Sequence, residues 1–208
     1  MEVNKIIHGD CIEVMKTFPN NSVNLIVTDP PYGDNVGYGV NNKKIKNNET
    51  PLINCLALVE CYRVLKKNTS MYIFTNWKHY PFLTEFILRY TKFKIRYLIV
   101  WKKHNFGLGW AFRHQYELIL VLEKGKAKYN LTDFSDVQTC KPIIHNKENH
   151  PHKKPIELLT KMILHSSKEG DLILDPFCGT GSTCKACEQN NRKWIGIELD
   201  NRWIKREI

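Results

Sequence analysis

The chain has 208 residues, of which 42% are hydrophobic and 25% charged, proportions that suit one globular domain with an adequate core. No apolar run approaches the ~20 residues needed to cross a bilayer. The start, Met1 to Lys5, lacks the basic-then-apolar order of a secretory signal, so a cytoplasmic location without a membrane partner is expected. Thirty-one Lys and Arg against 21 Asp and Glu leave a formal net charge of +10. Such a surface attracts a polyanion such as nucleic acid, although a Lys-rich coding bias would give the same composition. Seven cysteines, an odd number without secretory context, predict reduced, mostly buried thiols. Cys178, Cys184 and Cys187 cluster, but no second CxxC or His pair completes four ligands, so no metal is expected.

Short apolar, β-branched runs alternate with helix-like segments, the pattern of a parallel α/β sheet. Val3 to Ile7 reads as a strand and Cys11 to Thr17 as a short helix. Val23 to Thr28 is a buried strand that ends at Asp29-Pro30-Pro31-Tyr32. Gly33 to Thr50 is polar and rich in Gly and Asn, which predicts a mobile loop at about 33–50. A helix over Pro51 to Leu65, a strand over Met71 to Thr75 and a helix over Tyr80 to Tyr90 follow. Ile95 to Trp101 and Tyr116 to Leu122 are strands whose connection is too short for a crossover helix, which predicts an antiparallel pair at the sheet edge. Lys124 to Pro151 shows no clear periodicity. Ile156 to Ser166 reads as a helix, Asp171 to Leu174 as a strand, Gly179-Thr180-Gly181 as the start of a helix through Cys187, and Lys193 to Ile197 as the last strand before a short helix.

The chemistry gathers at strand ends, where open α/β sheets place their sites. Asp29-Pro30-Pro31-Tyr32 offers a carboxylate, a carbonyl at Pro30 and an aromatic face, with two prolines fixing φ near −65°. An exocyclic amino group of a base is a poor nucleophile because its lone pair is delocalised. A carboxylate and a carbonyl accepting its two N–H bonds would free that pair, and the Tyr32 face would stack an extruded base. A plain turn would use the same residue types. Asp175-Pro176-Phe177-Cys178-Gly179-Thr180-Gly181-Ser182-Thr183 reads as strand, glycine turn and helix start, a nucleotide-binding pattern. The fingerprint GxGxxG is incomplete, because Cys184 holds its third position. Glu198, at the end of the next strand, lies at the usual ~20-residue distance for a ribose-binding carboxylate. No Walker lysine follows, which argues against nucleotide hydrolysis.

Together these motifs resemble the DNA amino-methyltransferases, a family with Asp/Asn/Ser-Pro-Pro-Tyr/Phe for catalysis and FxGxG for S-adenosylmethionine. The order, catalytic motif first and cofactor loop last, is similar to the circularly permuted β class. His8-Gly9-Asp10-Cys11, Arg63 to Lys66, Trp101-Lys102, Phe112 to Glu117 and His150-Pro151-His152-Lys153-Lys154-Pro155 resemble further family segments. The resemblance implies one Rossmann-like methyltransferase domain over residues 1–208, with a mixed seven-stranded sheet and an antiparallel edge strand. It implies catalysis by Asp29, Pro30, Pro31 and Tyr32. It implies a cofactor pocket of Asp10, Asp29, Lys154, Pro155, Asp175, Phe177, Gly179, Gly181, Ser182 and Glu198, with Asp10 near the adenine of S-adenosylmethionine and Lys154 and Pro155 against its methionine end. Asp10 would equally serve as a helix N-cap, and Lys154 as one more solvated lysine.

Asp at the first catalytic position usually accompanies adenine-N6 methylation and Ser cytosine-N4, which favours adenine in double-stranded DNA. Cytosine-N4 is the alternative, and an RNA base or protein amide substrate is disfavoured by motif order. A small target-recognition segment is expected at about 124–149. Lys43, Lys44 and Lys46 in one loop, with Lys124, Lys126 and Lys128 in the other, are expected to meet phosphates, and Asn130 or Gln138 to read base edges. A homodimer, or a companion restriction or recognition subunit, would complete so small a recognition region.

Overall fold

A computed structural model describes residues 1–32, 37–38, 43–44, 52–107, 110–140 and 154–204. In chain order the elements are β1 (Lys5–His8), α1 (Cys11–Lys16), β2 (Val23–Thr28), β3 (Gly37–Tyr38), β4 (Lys43–Lys44), α2 (Leu52–Val64), β5 (Leu65–Thr75) and α3 (Tyr80–Tyr90). They continue with β6 (Lys94–Lys102), β7 (Tyr116–Lys124), β8 (Val137–Thr139), α4 (Ile156–Ser166), β9 (Leu172–Asp175), α5 (Ser182–Glu188), β10 (Lys193–Glu198) and α6 (Asn201–Ile204). Eight strands form one sheet in the order β1-β10-β9-β2-β5-β7-β6-β8.

Period-2 alternation explains why both faces of the sheet are covered. In β2, Ile26 packs with residues of α1, α2 and α3, such as Met15, Leu58 and Leu83. Its neighbours Leu25 and Val27 pack on the other face with Leu158, Met162 and Ile163 of α4. The same division runs through β9, where Leu172 and Leu174 face one layer and Ile173 the other. A strand covered on both faces is mostly apolar, and Val23, Leu25, Ile26 and Val27 are all fully buried.

β1, β10, β9, β2 and β5 run parallel, while β7 is antiparallel to both its neighbours, β5 and β6. The antiparallel β6–β7 pairing is as the short connection predicts, but two expectations are corrected. Among the described residues the sheet has eight strands rather than seven, and its edge is β8, parallel to β6, with β7 as an inner strand. β8 has three residues, too few to show alternation, which is why residues 124–151 read as irregular. Within the expected loop at 33–50, Gly37 pairs with Lys44 and Tyr38 with Lys43; the rest of that loop, including Lys46, lies outside the described residues, as do residues 141–153.

The segment expected to read DNA is partly structural. Lys124 is buried, and its ammonium donates to the Tyr62 and Leu65 carbonyls at 2.6 Å each and to Asn21 Oδ1 at 2.9 Å. It therefore satisfies acceptors at the end of α2, which the helix itself cannot pair. Asn130 Nδ2 donates to the Leu164 and Ser167 carbonyls, fastening its loop to α4. Gln138 is buried, with Nε2 on the Ser135 carbonyl at 2.6 Å. Each of these three side chains bonds within the fold, and Lys124 and Gln138 are buried there. Lys124→Met is expected to destabilise the chain by about 1–3 kcal/mol, the cost of leaving buried carbonyls unpaired, as read from urea melts. The salt dependence of DNA binding should not move.

Candidate active site

The site is built where β2 and β9 lie side by side, pairing Leu25 with Ile173 and Ile26 with Leu174. Their C-terminal ends deliver the two halves of the motif pattern to one edge of the sheet. Thr28 Oγ1 donates to Asp175 Oδ1 at 2.8 Å, and both residues are buried. One hydrogen bond thus ties the turn at Asp29 to the glycine loop across 147 residues of sequence.

On the β2 side, Asp29 is held by two groups. Lys154 Nζ lies 2.6 Å from Oδ2, and the Tyr32 hydroxyl donates to Oδ1 at 2.5 Å. Lys154 is buried and sits 3.1 Å from Glu117 Oε2, an ion pair rather than an aligned hydrogen bond. Glu117 Oε1 pairs with Lys103. One ammonium therefore stands between two carboxylates, and Phe74 covers it at 5.2 Å from its ring centre.

The two carboxylates differ in proton affinity. Burial raises Asp29 above the usual carboxylate range; the Lys154 ammonium opposes that rise, and the charge on Glu117 adds to it. Burial would raise Glu117 as well, but the Lys154 and Lys103 ammonium groups overcome it and hold the carboxyl at about 2. Burial also works against the Lys154 charge, yet Asp29 and Glu117 raise its proton affinity well above that of an ordinary lysine. Glu117 thus carries the settled negative charge, and Asp29 is the member poised to exchange a proton. Beside them His79 is buried, 6.4 Å from the Tyr32 ring, and burial lowers it to about 4.

On the β9 side the loop turns through Gly179 at φ +52° and Gly181 at φ +84°, a region that a branched side chain enters only with strain. A Cβ at Gly179 would meet nothing within 4 Å, so the loop backbone is open to an approaching ligand. Glu198, at the end of β10, accepts from Gly179 N at 2.9 Å through Oε2 and from Asp200 N at 2.7 Å through Oε1. Asp10 follows β1, whose His8 is in register with Glu198. It caps α1, Oδ1 accepting from Ile12 N at 2.8 Å, so the N-cap reading holds for that oxygen. Phe177 packs partly buried against the core, Ser182 opens α5, and Lys154-Pro155 leads into α4. An open glycine turn with a carboxylate fixed beside it, and a second acid one strand away, fits a nucleoside with free ribose hydroxyls.

The structure brings Asp29, Tyr32 and Lys154 into one cluster and Asp10, Phe177, Gly179, Gly181 and Glu198 around the other, with Asp175 between. His150 to Lys153 of the His-Pro-x-x-Lys-Pro segment lie outside the described residues. Glu117, Lys103 and Thr28 were not foreseen as site residues. Glu117 ends the family-like segment Phe112 to Glu117, but its place beside Lys154 follows only from the folded chain.

The fold and this paired site define a Rossmann-like methyltransferase. A family model described as DNA methylase matches residues 23–206, and the chain belongs to that family of N6 and N4 amino-methyltransferases, which use S-adenosylmethionine. YhdJ of Escherichia coli strain K12, a DNA adenine methyltransferase, is 34% identical, with 98% of this chain and 81% of the relative aligned. The type II methyltransferase M.HpaI of Haemophilus parainfluenzae is 29% identical over 97% of this chain and 72% of its own. Among solved structures, the M1.HpyAVI complex with SAM superposes with a TM-score of 0.72 at 26% identity, covering 97% of this chain and 96% of that one. The cytosine-N4-specific PvuII DNA methyltransferase shares the fold, with a TM-score of 0.82 at 17% identity over 96% of this chain and 83% of its own. Among the described residues no helix is long and apolar enough to cross a membrane, and all seven cysteines are buried thiols.

Asp175 gives the site a pH signature. Burial raises it from 3.8 to about 6, against hydrogen bonds from Thr183, Thr28 and Phe177 N. Between those values the folded chain binds more protons at this group than the unfolded chain, so its contribution to stability falls as pH rises. Asp175→Asn is expected to flatten that slope, because an amide does not titrate. Denaturant melts of both proteins across the acid range check it.

Proposed function

We propose that the chain methylates the N6 amino group of an adenine extruded from double-stranded DNA. The observation that carries this reading is the Asp29 carboxylate, which stands at the end of β2 with raised proton affinity and is joined through Thr28 and Asp175 to the glycine loop. The resemblance of Asp-Pro-Pro-Tyr to adenine-directed members favours adenine. The naming of YhdJ, 34% identical, as a DNA adenine methyltransferase points the same way.

The pocket residues assigned to the cofactor divide by chemistry. Glu198 would take the ribose hydroxyls and Asp10 the adenine edge. Phe177 and Pro155 would wall the pocket, and Gly179 and Gly181 let backbone come close. When bound, S-adenosylmethionine supplies a methyl group on a positively charged sulfur, reactive without a metal.

The protein's own part is played at the amino group. Asp29 accepts one N–H and the Pro30 carbonyl the other, which draws the nitrogen towards tetrahedral geometry and localises its lone pair. Transfer of that methyl group to the nitrogen would leave the nitrogen cationic, and one of its protons would have to leave. Asp29 takes that proton, and the product amine is neutral. The raised affinity of Asp29 favours this transfer. Lys154 can shift its pairing towards Glu117 as Asp29 engages the base, so the ammonium is never left without a carboxylate. Tyr32 stacks on the base and holds Asp29 through its hydroxyl, so its ring and its hydroxyl have separate uses.

Nucleoside chromatography of DNA methylated with labelled S-adenosylmethionine tests the assignment. N6-methyladenine is expected; N4-methylcytosine would move the target to the other base, and absence of label in DNA would remove the reading. Asp29→Ala is expected to slow methyl transfer about 10²–10⁴-fold, the range for a positioned acid or base, with cofactor affinity by calorimetry changed only a few-fold. Glu117→Gln leaves Lys154 to act on Asp29 alone. That should lower the proton affinity of Asp29, shift the acid limb of the single-turnover pH profile to lower pH and reduce the plateau rate. A profile unchanged in Glu117→Gln would remove the coupling.

A further inference from the structure

The connection between β6 and β7 presents aromatic rings to water. Trp110 is fully exposed and Phe112 is 86% exposed. Residues 102–116 contain Lys102, Lys103 and Arg113 and no acid at all. Isolated apolar side chains on a surface need no explanation, but exposed rings among cations, without a carboxylate, have the composition of a surface that stacks on bases and meets phosphates.

The connection is linked to the catalytic turn by two chains of contacts. Arg113 lies 5.7 Å from the Phe106 ring centre and donates to the Gly107 carbonyl at 2.9 Å, while Gly107 N donates to the His114 carbonyl. The His114 ring in turn lies tilted against Trp77, with centroids 5.8 Å apart, and Trp77 is two residues from His79, which neighbours Tyr32. The second chain runs from Lys103 through Glu117 and Lys154 to Asp29. The base of the connection that carries the rings is therefore tied to the cluster around Asp29.

We propose that Trp110 and Phe112 stack on the DNA bases exposed when the target nucleotide leaves the helix, while Arg113 and Lys102 hold the flanking phosphates. The inference rests on the reading of the substrate as a flipped DNA base and adds the surface that meets the gap. Extrusion leaves a space about one base step high, ~3.4 Å along the strand, which a single aromatic ring fills. Apolar side chains placed between base steps in this way offset the cost of unstacking.

A fluorescein-labelled duplex with one abasic site mimics the gap in any sequence, and the intact duplex is its control. The full chain is expected to prefer the abasic duplex. Trp110→Ala combined with Phe112→Ala should lose that preference, weakening abasic binding at least 10-fold, within the range for lost base stacking. Its thermal midpoint and its affinity for S-adenosylmethionine should match the parent. Arg113→Gln should lower the log–log salt slope by about 0.9. Equal binding of both duplexes by the double variant and the parent would overturn the proposal. So would a parent dimer that becomes monomeric on the double substitution in sedimentation velocity, because the rings would then cover a second copy of the chain. Methyl transfer from labelled S-adenosylmethionine to genomic DNA by the parent, run alongside, separates the two failures. No transfer by the parent removes the substrate reading, whereas transfer with unaltered binding by the double variant removes this inference alone.

Discussion

Lys154 places one buried ammonium between Asp29 and Glu117, and the site's chemistry depends on that sharing. A lysine buried alone would shed its proton, and two carboxylates buried together could not both stay ionised. Held as a trio, the charges balance and differ in firmness, with Glu117 fixed and Asp29 exchangeable. The sheet makes the arrangement possible. Asp29 follows β2, Glu117 lies near the start of β7, and Lys154 precedes α4, so three distant segments meet only because β5 separates β2 from β7 by a single strand. Breaking such a buried cluster by deleting one member is costly, because the remaining charge is left without its partner.

What could be read from the sequence was local. A buried strand running into Asp29-Pro30-Pro31-Tyr32, and another running into a glycine turn, announce themselves because each is one continuous segment with its own period and turn chemistry. Helices α3 and α4 matched the expected bounds, since their apolar spacing is set by the face each buries. The rest depended on which residues lie across from one another. β8 is a strand only because β6 needs an edge partner. Glu117 looks like any polar residue at a strand start until Lys154 is placed beside it. Asp10 showed both of its readings in the sequence, and the structure assigns one oxygen to the cap without removing the acid from the neighbourhood of Glu198.

The positive charge follows the same lesson. A net +10 invites a view of every lysine as a phosphate contact, yet Lys124 satisfies carbonyls near the end of α2, Lys154 serves Asp29, and Lys103 serves Glu117. Part of the basic excess is therefore internal. Burial distinguishes the two uses, because a lysine that is withdrawn from water and paired cannot release counterions from DNA.

The central claim is that the two carboxylates on Lys154 have been driven apart in proton affinity. Carbon-13 NMR of side-chain carboxyl groups, with Asp29 and Glu117 assigned by comparison with Asp29→Asn and Glu117→Gln, measures it in the free enzyme. The account expects the Asp29 resonance to titrate above the usual carboxylate range and the Glu117 resonance to remain that of a carboxylate down to strongly acid solution. Glu117 titrating above Asp29 would contradict it, and the exchangeable proton would then have to be placed elsewhere.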